Sequence, residues 1–277
     1  MTFTFETRCI SEPDLEFGDG GLFLDPRVGL MRHGPLQPKP GDLIRIGVVG
    51  TSDTVDGFAK YIDRAMQGIP SDNEKLGNLH PDFPGLGNQN PFRCRFEVPR
   101  EACQAVLQSE IKKIVAIRNH EEAVRAAVDL LIAQARILLE GTSRPEVIVI
   151  ALPKVLIEKV VNARSVVSED DDDDEETGPT ELNFRDLFKA KALSLSVPTQ
   201  IAWPSVWDDA FKLSRKMKTT ERKVQGPATR AWNLLNAIFY KAGRVPWRLP
   251  KSDGYETSYL GIGFYRDLDG HRLWTST

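Results

Sequence analysis

The stretch LIRIGVVGTSDTVDGFAKYIDRAM, residues 43–66, decides the fold. Its first eight residues are mostly apolar and β-branched, as in a strand covered on both faces. A turn follows at Gly50–Thr51, and Ser52 or Asp53 stands where a helix cap is expected. Val55, Phe58, Ala59, Ile62 and Met66 then recur at helical spacing. A buried strand that runs straight into an amphipathic helix is the start of a βαβ unit, and such units build parallel sheets.

The same alternation continues outward. FRCRFEV (92–98), IKKIVAI (111–117), EVIVIAL (146–152, ended by Pro153) and TQIAW (199–203) read as further strands. HEEAVRAAVDLLIAQARILLEG (120–141, stopped by Gly141), KVLIEKVVNA (154–163), residues 184–195 and PATRAWNLLNAIFYKAG (227–243) read as helices. Strands alternating with helices predict a parallel α/β core from about 43 to 243. The prolines and glycines of residues 1–42 predict an irregular, extended arm, and residues 70–92 a long loop. The terminal stretch YLGIGFYRDLDGHRLWTST reads as a hairpin around Asp269–Gly270. It breaks the alternation, and a lone hairpin is barely stable in water. The chain therefore divides into an arm (1–42), an α/β domain (43–245) and the start of a further, incomplete domain (246–277).

Of the 277 residues 41% are hydrophobic and 27% charged, an ordinary globular composition. No run of about 18 apolar residues is present, so no membrane span is expected. The N-terminus lacks the basic and apolar regions of a signal peptide. Cys9, Cys94 and Cys103 form neither a disulfide framework nor a zinc pattern, which points to the cytoplasm. The formal net charge of -3 conceals an asymmetry. Residues 169–176, EDDDDDEE, are all acidic, and the loop that holds them (168–179) is expected to be disordered by self-repulsion. From Thr180 onward 16 Lys and Arg face 9 Asp and Glu, as expected for a chain that meets a polyanion.

Motif chemistry is sparse. Gly47 and Gly50 lack the third glycine of a dinucleotide turn, and no phosphate-binding Gly-Lys-Ser/Thr sequence follows. His33, His80, His120 and His271 have no metal-ligand spacing. What remains is basic. Arg185 and Lys189 are four apart on a predicted helix whose buried stripe is Phe184, Leu187, Phe188 and Leu195. Gln200 opens the next strand, and Lys241 ends the helix that buries Trp232, Leu235, Ile238 and Phe239. Arginine grips a phosphate through two donors, and lysine serves as a point charge. The spacing fits a phosphate clamp, but by itself it favours a solvated helix face.

The blocks EPDLEFGDGG and DPRVGLMRHGPL (12–36), IRIGVVGT (44–51), FPGL (83–86), FRDLFKAKAL with PTQI (184–201) and ATRAWNLLNAIFYKAGRVPWRLP (228–250) occur in an order that resembles the short prokaryotic Argonautes. The resemblance implies a Rossmann-like MID domain followed by the first hairpin of an RNase H-like PIWI domain. It further implies that Arg185, Lys189, Gln200 and Lys241 hold the 5′ phosphate of a guide strand, with Mg2+ at that phosphate. Arg185 stands where the family often has an aromatic residue or His, and Ala237 replaces a second lysine. Slicing members carry a metal-binding Asp in an I-G-I-D strand; here YLGIGF puts Gly263 in that place, and the chain ends at Thr277, early in the PIWI domain. The resemblance thus implies a protein without slicing activity. Its implied partners are a guide RNA or DNA, complementary single-stranded DNA, and an APAZ-containing effector subunit with a TIR, sirtuin-like or nuclease domain, in prokaryotic defence. The competing readings are a small-molecule-binding α/β domain or enzyme, and an interaction subunit with a vestigial pocket.

Overall fold

The computed structural model describes residues 11–39, 41–72, 80–161, 182–212 and 225–250, with the backbone of two terminal strands at 263–266 and 273–276. The acidic loop, most of the basic stretch 212–226, Cys9, Asp267, Asp269, His271 and the turn Asp269–Gly270 lie outside the described residues.

The chain opens with a short antiparallel pair, β1 (Leu15–Glu16) and β2 (Leu22–Phe23), and helix α1 (Pro26–His33). Then come β3 (Leu43–Gly50), α2 (Ser52–Ala65), β4 (Arg95–Glu97), β5 (Cys103–Ala105), α3 (Gln108–Ala116) and α4 (His120–Glu140). β6 (Val147–Ala151), α5 (Lys154–Val160), α6 (Phe184–Ala192), β7 (Thr199–Ala202) and α7 (Pro227–Lys241) complete the core. β8 (Gly263–Arg266) and β9 (Leu273–Ser276) pair antiparallel, as the hairpin pattern predicts.

The α/β class with a parallel sheet is present. Strand order is β4-β3-β6-β7, with β5 beside the C-terminal half of β3, and every pairing in this sheet is parallel. β6 shows why both faces are covered. Val147, Val149 and Ala151 enter one core with α2 and α7, while Ile148 and Ile150 enter the other with α3 to α6. That is the period-2 alternation of a strand packed on both sides.

Four expectations are corrected. IKKIVAI is not a strand but part of α3, with Ile111 and Ile114 buried and Lys112 and Lys113 exposed. An apolar residue every third position fits one helix face; the β-branched side chains had masked that period. The helix cap is Thr51, one residue before Ser52 and two before Asp53, the expected positions; its Oγ1 accepts from the Thr54 amide. Met66 is exposed, and Tyr61 and Ala65 take its place on the buried stripe of α2. Finally, the described part of residues 1–42 is more ordered than an extended arm. Asp25 caps α1 through the amides of Arg27 and Val28, and Phe17 and Leu30 are buried in the core that contains α7.

The glycines of the β3–α2 turn are fixed by packing. A Cβ on Gly47 would stand 2.9 Å from the Pro145 side chain and 3.2 Å from that of Leu138. On Gly50 it would meet Thr54 Oγ1 at 2.4 Å and the Ala151 carbonyl at 2.5 Å. Thr54 Oγ1 itself donates to that carbonyl at 2.8 Å, so the turn is closed onto β6.

Candidate anion-binding site

Two neighbouring elements of the sheet edge and one helix end build the site. Asn183 begins α6 by accepting from the Arg185 and Asp186 amides at 2.8 and 3.3 Å. Phe184 and Phe188 are buried and stack on one another, with ring centroids 6.0 Å apart. This fixes the rotation of the helix, so Arg185 and Lys189, one turn apart, share the exposed face.

Among the described residues β7 ends the strand order of the sheet, beside β6. Gln200 is half-buried on it. Lys241 reaches this strand from the final turn of α7. Its Nζ donates to the Thr199 carbonyl at 2.7 Å and to Gln200 Oε1 at 2.6 Å. Gln200 Nε2 donates to the Ile201 carbonyl at 3.0 Å. The helix stops where it does because Gly243 adopts a left-handed φ of 78°. The Gly243 amide donates to the Tyr240 carbonyl at 2.9 Å and the Arg244 amide to that of Phe239 at 3.3 Å, the paired bonds of a Schellman terminus.

Burial pushes the Lys241 ammonium down to about 8, and the charges of Lys189 and Arg185 push in the same direction. The charges of two α6 residues thus act on the ammonium that α7 sets beside Gln200. Among the described residues none of the three is in an ion pair. By contrast Lys191, on another face of α6, is held by Asp129. A group of like charges with neutral oxygens as its only bonded partners is equipped to receive an anion. Arginine offers two parallel donors, and each lysine a compact charge.

Of the four residues singled out from sequence, Lys241 and Gln200 are in contact, and Arg185 and Lys189 share a helix face whose charges act on Lys241. Sequence reasoning missed two others. Asn183 sets the start of α6, and the Asn-x-x-Asp pattern at 183–186 was a legible cap signal. Arg244 supports the end of α7. It binds Asp42 through Nε and Nη2 at 2.9 and 2.6 Å, and Glu146 and the Ala242 carbonyl through Nη1. Its guanidinium holds the Asp42 carboxyl below the ordinary value. No local pattern marks that contact, which spans 202 residues.

The donor set does not suit a divalent cation. The protein offers Arg185, Lys189, Lys241 and an amide, and among the described residues no group of three His, Cys, Asp or Glu could hold a metal ion. Two concavities lie elsewhere. One of about 310 Å³ is lined by residues of α1 and α7 with Trp247, and one of about 500 Å³ lies between α4 and α6; neither includes a residue of the cation group. Among the described residues no helix is long and apolar enough to cross a membrane.

No protein-family model matches the sequence, and no curated protein does. Among solved structures the chain is similar to Clostridium butyricum Argonaute bound to a guide DNA with a 5′ deoxycytidine and a 19-mer target DNA. The likeness has a TM-score of 0.46 and 16% identity, and covers 94% of this chain and 28% of that one.

Proposed function

We propose that this chain is the guide-anchoring part of a short prokaryotic Argonaute, with a MID domain that holds the 5′ phosphate of a guide strand. The observation that carries the reading is that Lys241, bonded to Gln200, is acted on by the charges of Lys189 and Arg185, with no carboxylate paired to any of the three among the described residues. A terminal phosphate carries up to two negative charges and several acceptor oxygens, which three cations satisfy and a neutral sugar hydroxyl does not. The order of the sequence blocks that resemble the family supports the same reading.

In this account the strand is a guide RNA or DNA, and it pairs with complementary single-stranded DNA. An effector subunit responds to the pairing in prokaryotic defence. The terminal strands begin the PIWI domain of the family, and Gly263 in place of the metal-binding Asp leaves the protein without slicing activity. Any Mg2+ at the phosphate is held by groups other than the four clamp side chains.

The test compares short oligonucleotides with 5′-phosphate and 5′-hydroxyl ends across salt concentrations. The phosphorylated strand is expected to bind more tightly, and Lys189→Ala to remove most of that difference. Equal affinity of the two strands for the wild type, or an unchanged preference in Lys189→Ala, overturns the clamp.

A further inference from the structure

The loop between α6 and β7 holds a second pair of cations, on side chains that the clamp does not use. Leu195 and Val197 are buried there, and the alternating Ser194 and Ser196 are exposed. Each serine meets an arginine. Arg136, in the last turns of α4, donates through Nη2 to Ser194 Oγ at 3.1 Å. Arg144, in the connection from α4 to β6, donates through Nη2 to Ser196 Oγ at 2.6 Å. Ser194 Oγ donates in turn to the Lys191 carbonyl at 2.8 Å, which fixes it to the end of α6. Beside Arg136 and Ser194 lies the concavity of about 500 Å³ between α4 and α6.

A guanidinium has five N–H donors, and each of these two spends one on its serine. Both arginines are exposed, and among the described residues neither is in an ion pair. The carboxylate that lines the concavity, Asp129, is bonded to Lys191. A neutral hydroxyl orients the fork but leaves its charge uncompensated, and the free donors suit an anion with several oxygens. Two residues of chain span at most about 7 Å, within reach of successive phosphates of one strand. Arginine and serine are among the side chains that contact such phosphates. The concavity is floored by Ile132, Ala133 and Ala190, and no aromatic ring is among its described lining residues on which a base could stack. We propose that Arg136 and Arg144, oriented by Ser194 and Ser196, grip two successive phosphates of a nucleic-acid strand. It is a contact with the backbone, without sequence preference.

The proposal rests on the reading that this chain binds a strand, but on none of the four clamp side chains. The probes are therefore 5′-hydroxyl single strands, an oligothymidine and a mixed sequence of equal length, titrated by fluorescence anisotropy over a range of salt. Each phosphate contact on a single strand contributes about 0.7 to the slope of log affinity against log salt. Arg136→Gln with Arg144→Gln is expected to reduce that slope by about 1.4 for both strands, and either substitution alone by about 0.7. Lys112→Gln, which removes an exposed charge from α3, is expected to leave it unchanged. The single variants carry the test if the double variant misfolds.

An unchanged slope in the arginine variants, an equal fall in Lys112→Gln, or no binding of either strand by the wild type overturns the proposal. So does a loss of poly-glutamate binding in the arginine variants while their slope for the strands is unmoved, which marks the surface as one for an acidic protein. The 5′-phosphorylated strand is run in parallel. If it binds the wild type no more tightly than the 5′-hydroxyl strand while the slope falls as expected, the clamp fails and this contact stands. A phosphate preference with an unmoved slope is the reverse.

Discussion

Lys241 Nζ lies 2.6 Å from Gln200 Oε1, a bond that ties the last turn of α7 to the edge strand β7 across 41 residues of sequence. It places a half-buried ammonium beside two further cations, and it has consequences for stability as well as for binding.

The first concerns pH. In the unfolded chain Lys241 holds its proton to about 10.5, but in the folded chain only to about 8. Below pH 8 both states are protonated, and the folded state bears the full penalty of the confined charge. Between about 8 and 10.5 the unfolded state binds more protons, so stability rises with pH through that window. Urea denaturation of the wild type without added anion is expected to show this rise relative to Lys241→Arg, and sulfate to diminish it. Parallel pH curves for the two proteins would contradict the burial of this charge.

Asn183 caps α6 through two backbone amides. Asn183→Ala is expected to lower stability by about 1 kcal/mol. Because the first turn carries Arg185, sulfate affinity should fall as well. Asn183→Ser, which retains a capping oxygen, should restore most of both.

Gly243 terminates α7 at a φ of 78°. A side chain there costs roughly 1–2 kcal/mol in the left-handed region. Gly243→Ala is thus expected to lower the denaturation midpoint and to weaken anion binding, since it loosens the turn that seats Lys241. Gly20, also at positive φ with open space around it but remote in sequence from the site, provides the comparison. Gly20→Ala should affect stability without changing sulfate affinity.

The Asp42–Arg244–Glu146 network is mostly shielded from solvent, with 16% exposure of the Arg244 side chain and 12% of Asp42. Arg244→Leu leaves two carboxylates without their cation, and is expected to cost about 3 kcal/mol. Arg244→Lys should recover little of this, because it cannot reproduce the paired bonds to Asp42. The Asp42 carboxyl is held below its ordinary value, first by the Arg244 hydrogen bond. Its contribution is therefore present above about pH 4 and is lost as pH falls through the lowered folded value. Acid denaturation of Asp42→Asn should show a shallower pH dependence than that of the wild type.

Local patterns carried the elements. The alternation of β6, the apolar stripe of α2 and the Gly stops of α4 and α7 are periodic or punctual signals, and the structure follows them. IKKIVAI misled because seven residues are too few to separate a spacing of three from the β propensity of Ile and Val. Gly47 and Gly50 looked like an unfinished cofactor turn because sequence does not show what presses on a glycine; here it is Pro145, Leu138, Thr54 and Ala151.

The sequence by itself determined that a parallel sheet would be covered by helices on both faces, and that Arg185 and Lys189 would share one side of a helix. Only the tertiary structure decided that this side turns toward Lys241. Helix and strand periods describe rotation within one element, whereas the meeting of α6, β7 and α7 depends on the strand order that places β7 at the sheet edge. Arg244 illustrates the same division: its charge is plain in the sequence, but its partners, Asp42 and Glu146, come from the segment just before β3 and the residue just before β6.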